Sequence, residues 1–160
     1  MVKRSFFLVL ILLIATVHGG CSFQSPLSGA APDFTLDSLD GDAITLSDLE
    51  GQVVVLDFWA TWCRPCVWSM PHLQDLHERY AEQEVVVLAI NVAEERDEVA
   101  EFMAENGYTF TVLLDSDSDV TDDYRVQGIP HTVVVDREGE VHSVFEIVDV
   151  EDMLPQLMGE

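Results

Sequence analysis

The stretch FWATWCRPC, residues 58–66, decides the fold of this 160-residue chain. It closes a continuous apolar run from Gln52 to Phe58, which is typical of a strand buried on both faces of a sheet. A helix is predicted to follow from about Cys63 to Ala81, with apolar residues at helical spacing. The pair Cys63 and Cys66 therefore lies at the start of a helix, directly after a buried strand.

That placement gives the two cysteines different chemistry. Unpaired backbone N–H groups and the positive end of the helix dipole favour a thiolate at Cys63. Cys66 is expected one turn further in, beneath Cys63, where the two sulfurs can form and break a disulfide. A bridge over three residues closes almost no loop and would stabilise the fold little. The pair is therefore predicted to be reactive, with Cys63 attacking a disulfide and Cys66 resolving the mixed disulfide.

Asp57 is an acid in the interior of an otherwise apolar strand, where acidic residues are rare. Burial would raise its pKa, so that it could act as a general base for Cys66. The competing interpretation is an Asp at a strand edge or in a cap. Zinc binding by the cysteine pair is disfavoured because no second CxxC or nearby Cys/His pair completes a four-ligand site. We expect neither a metal nor a cofactor.

The remaining sequence alternates strands and helices. A hairpin is predicted around Asp40-Gly41, between Thr35 and Leu46, and a second buried strand from Glu84 to Asn91. Further strands are predicted at 109–115, 132–136 and 141–147, and further helices at 95–106, 117–124 and 151–158. This order predicts an α/β fold in which helices cover both faces of one sheet.

The N-terminus has the features of an export signal. Lys3 and Arg4 precede an apolar run from Phe6 to Val17, which is short for a membrane span but typical of a signal peptide. The competing interpretation is an uncleaved membrane anchor. Cys21 follows two glycines and is a candidate lipidation site. We therefore divide the chain into a signal (1–20), a tether (21–30) with the small polar composition of a linker, and one domain (31–160).

The chain is strongly acidic, with 30 Asp and Glu against seven Lys and Arg and a formal net charge of −23. Two of the basic residues, Lys3 and Arg4, lie in the predicted signal. Nucleic-acid binding is excluded because phosphate contacts need lysine and arginine. Acids such as those in 94–101 and 115–123 are interpreted as a solvated surface in preference to a docking face.

Together, FWATWCRPC, Pro71 and Gly128-Ile129-Pro130 resemble thioredoxin. The opening APDFTL at 31–36, the leader and the DREG turn at 136–139 resemble the TlpA/ResA-type, membrane-tethered branch of the redoxin group more closely. The resemblance covers roughly residues 31–160. It implies a thioredoxin fold: a central mixed β-sheet flanked by helices, with the N-terminal hairpin as an extension.

The same resemblance implies a site. Ile129-Pro130 would be a cis peptide beside the cysteines, with the Ile129 backbone pairing with the bound substrate chain. Trp62 would form part of the substrate-facing surface; its alternative role is core packing. Arg64 and Pro65, between the cysteines, would tune the redox potential, and the charge of Arg64 would lower the pKa of Cys63.

Three positions depart from the family pattern. Many relatives carry Glu three residues after the second cysteine, where this chain has Ser69, and Asn at the position of Asp57. The lysine that accompanies the buried acid in thioredoxin falls at Ala89. This chain is therefore expected to use the thioredoxin-style acid without its cation. His131 either contacts the site or packs elsewhere.

The resemblance implies a protein-disulfide reductase outside the cytoplasm, attached to the cell membrane by the leader or a lipid, or periplasmic. Its substrates would be disulfide-bearing proteins, with apocytochrome c a common target of similar proteins, and its electron donor a membrane thiol carrier. We expect a monomer. Two alternatives remain open: a peroxiredoxin-like peroxidase, and a non-enzymatic copper-binding assembly factor that uses Cys63, Cys66 and His131 as ligands.

Overall fold

The computed structural model describes residues 27–144 and 147–159. The predicted signal, Cys21 and all but the end of the predicted tether lie outside the described residues. Among the residues that are described, no helix combines the length and apolar character needed to cross a bilayer.

A six-stranded mixed sheet forms the centre of the domain, in the order β1-β8-β7-β4-β5-β6. Strands β4, β5 and β6 are parallel, whereas β7 pairs antiparallel with both β4 and β8. The strands are β1 (Gly29–Ala30), β2 (Thr35–Asp37), β3 (Ala43–Thr45), β4 (Val53–Trp59), β5 (Val85–Val92), β6 (Thr111–Asp115), β7 (His131–Val135) and β8 (Glu140–Val144). The helices are α1 (Arg64–Tyr80), α2 (Arg96–Asn106), α3 (Asp119–Asp123) and α4 (Val150–Met158).

The predicted strand and helix order is confirmed, with boundaries that differ by a few residues. Every residue of β4 is buried, because elements pack on both faces of this central strand. Helix α2 ends at Asn106, and the C-cap residue Gly107 has a φ of 73°, which glycine readily adopts.

The two faces of the sheet carry different layers. Helices α1, α2 and α4 cover one face and bury apolar side chains such as Leu73, Val99 and Leu154. The other face is covered by the β2–β3 hairpin, by α3 and by their neighbouring loops, through Phe34, Leu46 and Tyr124. The predicted N-terminal hairpin is therefore part of the covering layer on the second face.

The sheet begins slightly earlier than the sequence indicated. Gly29 and Ala30, at the end of the predicted tether, pair antiparallel with Val141 and Glu140 of β8. Two residues that we assigned to the linker thus form an edge strand. Two residues as small as these form no apolar pattern from which strand pairing could be predicted.

One acid of the region interpreted as a solvated surface is in fact buried. Asp115 is 2% exposed, and its carboxylate accepts hydrogen bonds from Thr121 N–H at 2.8 Å and Thr121 Oγ1 at 2.5 Å. The N–H of Val120 also donates to it, at 3.3 Å. Asp115 therefore ties the end of β6 to the start of α3, which corrects the interpretation of 115–123 as uniformly solvated.

Candidate active site

Cys63 and Cys66 form a disulfide at the N-terminus of α1, with an S–S distance of 2.03 Å and a Cα–Cα distance of 5.2 Å. Cys63 is the N-cap residue, and Cys66 lies one turn further in. Both residues are buried, with exposed fractions of 5% and 0%, so Cys63 is the more accessible of the two. This is the arrangement that the order strand, loop, helix predicted.

One backbone N–H of the first turn of α1 is directed at the sulfur of Cys63. The N–H of Cys66 donates to Cys63 Sγ at 3.3 Å, and the N–H of Cys63 donates to the carbonyl of Ala60 at 3.1 Å. The first turn of α1 contains no acidic residue. A thiolate on Cys63 would therefore accept the Cys66 N–H and lie at the positive end of the helix dipole, without a carboxylate in that turn.

Asp57 is buried in the middle of β4, at 2% exposure. Burial raises the pKa of Asp57 to about 7, while a hydrogen bond from Thr132 opposes the shift. Thr132 Oγ1 donates to Asp57 Oδ1 at 2.8 Å. A carboxyl group with this pKa can both accept and return a proton near neutral pH.

Asp57 lies on the face of the sheet that α1 covers. Together with Pro65, Ser69 and Pro130, it lines a cleft of about 260 Å³. Ala89 is directly beside Asp57 on the parallel neighbour β5 and is fully buried. The site thus has a buried acid, Asp57, that is reached through a cleft. Its neighbour Ala89 is apolar and stands where thioredoxin carries lysine.

The residues expected to face the substrate lie around the cysteines. Trp62 is 68% exposed, which excludes the alternative of core packing. The Ile129-Pro130 peptide is cis, as the resemblance implied. Pro130 lines the cleft, whereas Ile129 packs against the apolar residues of both sheet faces. One exposed aromatic therefore directly precedes Cys63 in the chain, and the cis-proline loop lines the same cleft as Pro65, which lies between the two cysteines.

Arg64 points along the helix. Its guanidinium carbon lies 5.7 Å from the ring centroid of Trp68, which is itself 73% exposed. Pro65 is exposed at the first turn of α1, where its missing N–H costs no hydrogen bond. Sequence reasoning gave no role to Trp68, because it lies off the apolar face of the helix and belongs to no recognised motif.

His131 is not gathered with the cysteines into a ligand set. Its ring packs on Phe58, with centroids 6.3 Å apart, and burial lowers its pKa. It precedes Thr132 on β7, so its side chain points to the face opposite Asp57. Within 27–144 and 147–159, no three His, Cys, Asp or Glu side chains are grouped so that they could hold a metal ion.

A second buried acid, which the sequence did not reveal, supports the loop before Cys63. Glu94 is only 7% exposed and follows the end of β5. Its carboxylate accepts from Thr61 N–H at 2.7 Å, Thr61 Oγ1 at 2.5 Å and Asn91 Nδ2 at 2.6 Å. Glu94 therefore holds the turn between β4 and α1, which corrects its interpretation as a solvated surface acid. Its place after a buried parallel strand next to β4 is a sequence signal, but the exposed Glu95 shares it.

Replacing Glu94 with alanine is expected to lower the free energy of unfolding by about 2–3 kcal/mol, because three donors lose their shared acceptor. The measurement is chemical denaturation monitored by circular dichroism.

The neighbouring Glu95→Ala variant is the matched control for Glu94→Ala. Its side chain is exposed and makes no cap hydrogen bond, so its effect should stay within about 0.5 kcal/mol. Equal losses of stability in the two variants would show that the Glu94 carboxylate does not support the turn.

Comparisons with known proteins agree with this geometry. The AhpC/TSA family model matches residues 27–144. Thiol-disulfide oxidoreductase ResA of Bacillus subtilis (strain 168) is 38% identical over 129 residues, which cover 81% of this chain and 72% of that protein. ResA of Halalkalibacterium halodurans is 33% identical, and the match covers 98% of this chain and 94% of the relative.

Solved structures give the same result for the fold. A crystal structure from Chlorobium tepidum that bears the name thiol:disulfide interchange protein DsbE superposes with a TM-score of 0.77 and 32% identity, over 84% of this chain and 100% of that chain. The structure of MTB dsbF in mixed oxidised and reduced forms has a TM-score of 0.69 and 28% identity, over 78% of this chain and 94% of that chain. The predicted thioredoxin fold is thereby confirmed.

Proposed function

This chain belongs to the AhpC/TSA family and is a thioredoxin-like, ResA-type thiol–disulfide oxidoreductase, and we propose that it works as a protein-disulfide reductase outside the cytoplasm. One observation carries the proposal: the Cys63–Cys66 disulfide lies at the N-terminus of a helix, on the same sheet face as a buried acid with a raised pKa.

Cys63 is the attacking group. Its thiolate displaces one sulfur of the substrate disulfide, which leaves as a thiolate and takes up a proton. A mixed disulfide between Cys63 and the substrate results. Two observations support this assignment: Cys63 is less buried than Cys66, and the N–H of Cys66 donates to its sulfur, which favours the thiolate form that attacks.

Cys66 resolves the mixed disulfide. Asp57 accepts the proton of the Cys66 thiol, and the resulting thiolate attacks the sulfur of Cys63. The substrate's second sulfur leaves and is protonated. The protein dithiol becomes a disulfide while the substrate disulfide becomes a dithiol, so two electrons and two protons pass to the substrate. Another thiol must then reduce Cys63–Cys66, and we assign that step to a membrane thiol carrier.

The substrate would lie across Trp62 and the loop of Ile129 and Pro130. The backbone of Ile129 would pair with the substrate chain beside the reactive cysteine, as the resemblance to thioredoxin implies. Arg64 and Pro65 would tune the potential of the pair. Disulfide-bearing proteins are the substrate class, and the haem-binding cysteines of apocytochrome c are the proposed example.

The location rests on the sequence of the N-terminal region. We propose export by a signal at 1–20, attachment through a lipid on Cys21 or through the leader, a tether at 21–30 and a monomeric domain over 31–160. Outside the cytoplasm, a dithiol must receive its electrons from a partner, which is why the membrane donor belongs to the proposal.

The reduction potential of the Cys63–Cys66 couple tests the direction of electron flow. A reductase should equilibrate with glutathione or dithiothreitol buffers at a potential well below about −200 mV and should reduce insulin. A value near about −120 mV would mark an oxidant and overturn the proposed direction. Failure to exchange electrons with any protein disulfide would overturn the enzymatic role itself.

A further inference from the structure

Two large apolar side chains, Trp62 and Trp68, are exposed in the part of the chain that the structure describes, at 68% and 73%. Trp62 directly precedes Cys63, and Trp68 follows Cys66 by two residues on α1. The two indoles thus flank the reactive pair in the chain, and tryptophan and arginine are the residues that most often dominate interaction surfaces. The disulfide chemistry explains Trp62 but gives no role to Trp68.

Trp68 is held in place by Arg64. The guanidinium stands over the indole at 5.7 Å, one helical turn away, and yet the indole stays 73% exposed. Within 27–144 and 147–159, Arg64 makes no ion pair, in contrast to Arg79 and Arg137, which pair with carboxylates. The stacked pair thus presents an indole surface with an unneutralised cation beside it.

The indole also borders the route to the buried acid. The cleft that Asp57 lines has Trp68 and Pro65 from α1 on one side and Pro130 on the other. If the substrate backbone lies beside Pro130, as the proposed function has it, a side chain next to its reactive cysteine can enter this cleft. Trp68 is therefore within reach of the substrate, although it takes no part in the exchange.

We propose that Trp68, held by Arg64, is a specificity-determining residue: it forms one wall of a subsite that takes an aromatic or other apolar side chain next to the reactive cysteine of a protein disulfide. The inference rests on the proposed function. An indole contributes most when it packs against an apolar or aromatic partner. The charge of Arg64 makes lysine or arginine unfavourable at the same position, because like charges in close contact repel.

The test uses the reduced full-length protein in a Cys21→Ser background and a series of synthetic peptides. Each peptide carries one CxxC disulfide and differs only in one residue next to a cysteine, which is Phe, Ser or Lys. The rate constant for oxidation of the protein by each peptide is measured by acid quench, alkylation and mass spectrometry. The ratio of the rate constants for two peptides cancels any change that a substitution causes in cysteine reactivity. The reduction potential of each variant is also measured.

The wild type should react about 5–10 times faster with the Phe peptide than with the Ser peptide, and about 2–3 times slower with Lys than with Ser. Trp68→Ala should bring the Phe-to-Ser ratio to within about twofold of unity, whereas Trp68→Phe should keep most of it. Arg64→Gln should remove the penalty on Lys. Glu82→Ala, an exposed residue beyond the end of α1, should leave both ratios unchanged.

The proposal is overturned if the wild type shows no preference among the peptides, or if Trp68→Ala retains the wild-type ratio. The proposal is also overturned if Trp68→Ala changes the reduction potential of the Cys63–Cys66 couple but leaves the ratios of rate constants between peptides unchanged. Trp68 would then act only on the cysteines. If neither the peptides nor insulin oxidise the wild type, the proposed function fails first, and this inference fails with it.

Discussion

Cys66→Ser should stop turnover and leave Cys63 joined to its substrate. The serine hydroxyl cannot displace a sulfur at neutral pH, so the reaction ends at the mixed disulfide. Multiple-turnover reduction of insulin should fall by at least about 10³-fold, the scale on which the loss of one member of a catalytic unit acts. Non-reducing electrophoresis and mass spectrometry would identify the adduct.

Cys63→Ser is the matched control for this trap. Cys66 is fully buried beneath the first sulfur, so a variant that retains only Cys66 should form little or no adduct. Both variants need the Cys21→Ser background, because a third thiol could form adducts of its own. Adducts of equal yield from both variants would contradict the order of attack that the helix N-terminus implies.

The sequence alone predicted the parts of the site that are contiguous in the chain or set by local physics. The valine-rich runs of β4 and β5 identify buried strands, and the cysteines that follow β4 must lie at a helix start. Asp57 could be recognised because an acid within an apolar strand needs a reason. These predictions depend on few long-range contacts, which is why the sequence suffices for them.

The residues that the sequence missed depend on contacts between distant segments. Glu94 bonds to Thr61, 33 residues away, and nothing local distinguishes it from the exposed Glu95 beside it. Trp68 lies off the buried face of α1 and belongs to no known motif, and its place in the wall of the cleft emerges only when α1 packs on the sheet. Charge composition described the surface on average, but it could not say which acids are buried.

Asp57→Asn should affect catalysis and stability in opposite directions, because the same burial that makes the carboxyl a useful base makes its charge costly. For catalysis, loss of the proton acceptor should slow the attack of Cys66 by about 10²-fold at pH 7. The deficit should shrink at higher pH, where Cys66 forms a thiolate unaided. Single-turnover release of the substrate dithiol, followed as a function of pH, measures this step. A deficit that is constant with pH would contradict the role as base.

For stability, the sign follows from the raised pKa. Asp57 titrates at about 7 when buried, against an ordinary value of 3.8, so the folded state holds a proton that the unfolded state releases between these values. The stability of the wild type should fall through this window as the pH rises, by on the order of 4 kcal/mol in total. The amide that Asp57→Asn introduces carries no charge, and its oxygen can still accept the hydrogen bond from Thr132 Oγ1.

The stability gap between Asp57→Asn and the wild type should therefore be small near pH 4 and widen to a few kcal/mol at pH 8, in favour of the variant. Denaturant unfolding of the oxidised proteins across this range measures it. Asp40→Asn, which removes an exposed acid, should track the wild type within about 0.5 kcal/mol. A gap that does not change with pH would mean that the Asp57 carboxyl is not held neutral by its surroundings. The assignment of Asp57 as the base for Cys66 would then lose its electrostatic support, even if the geometry of the cysteines stood.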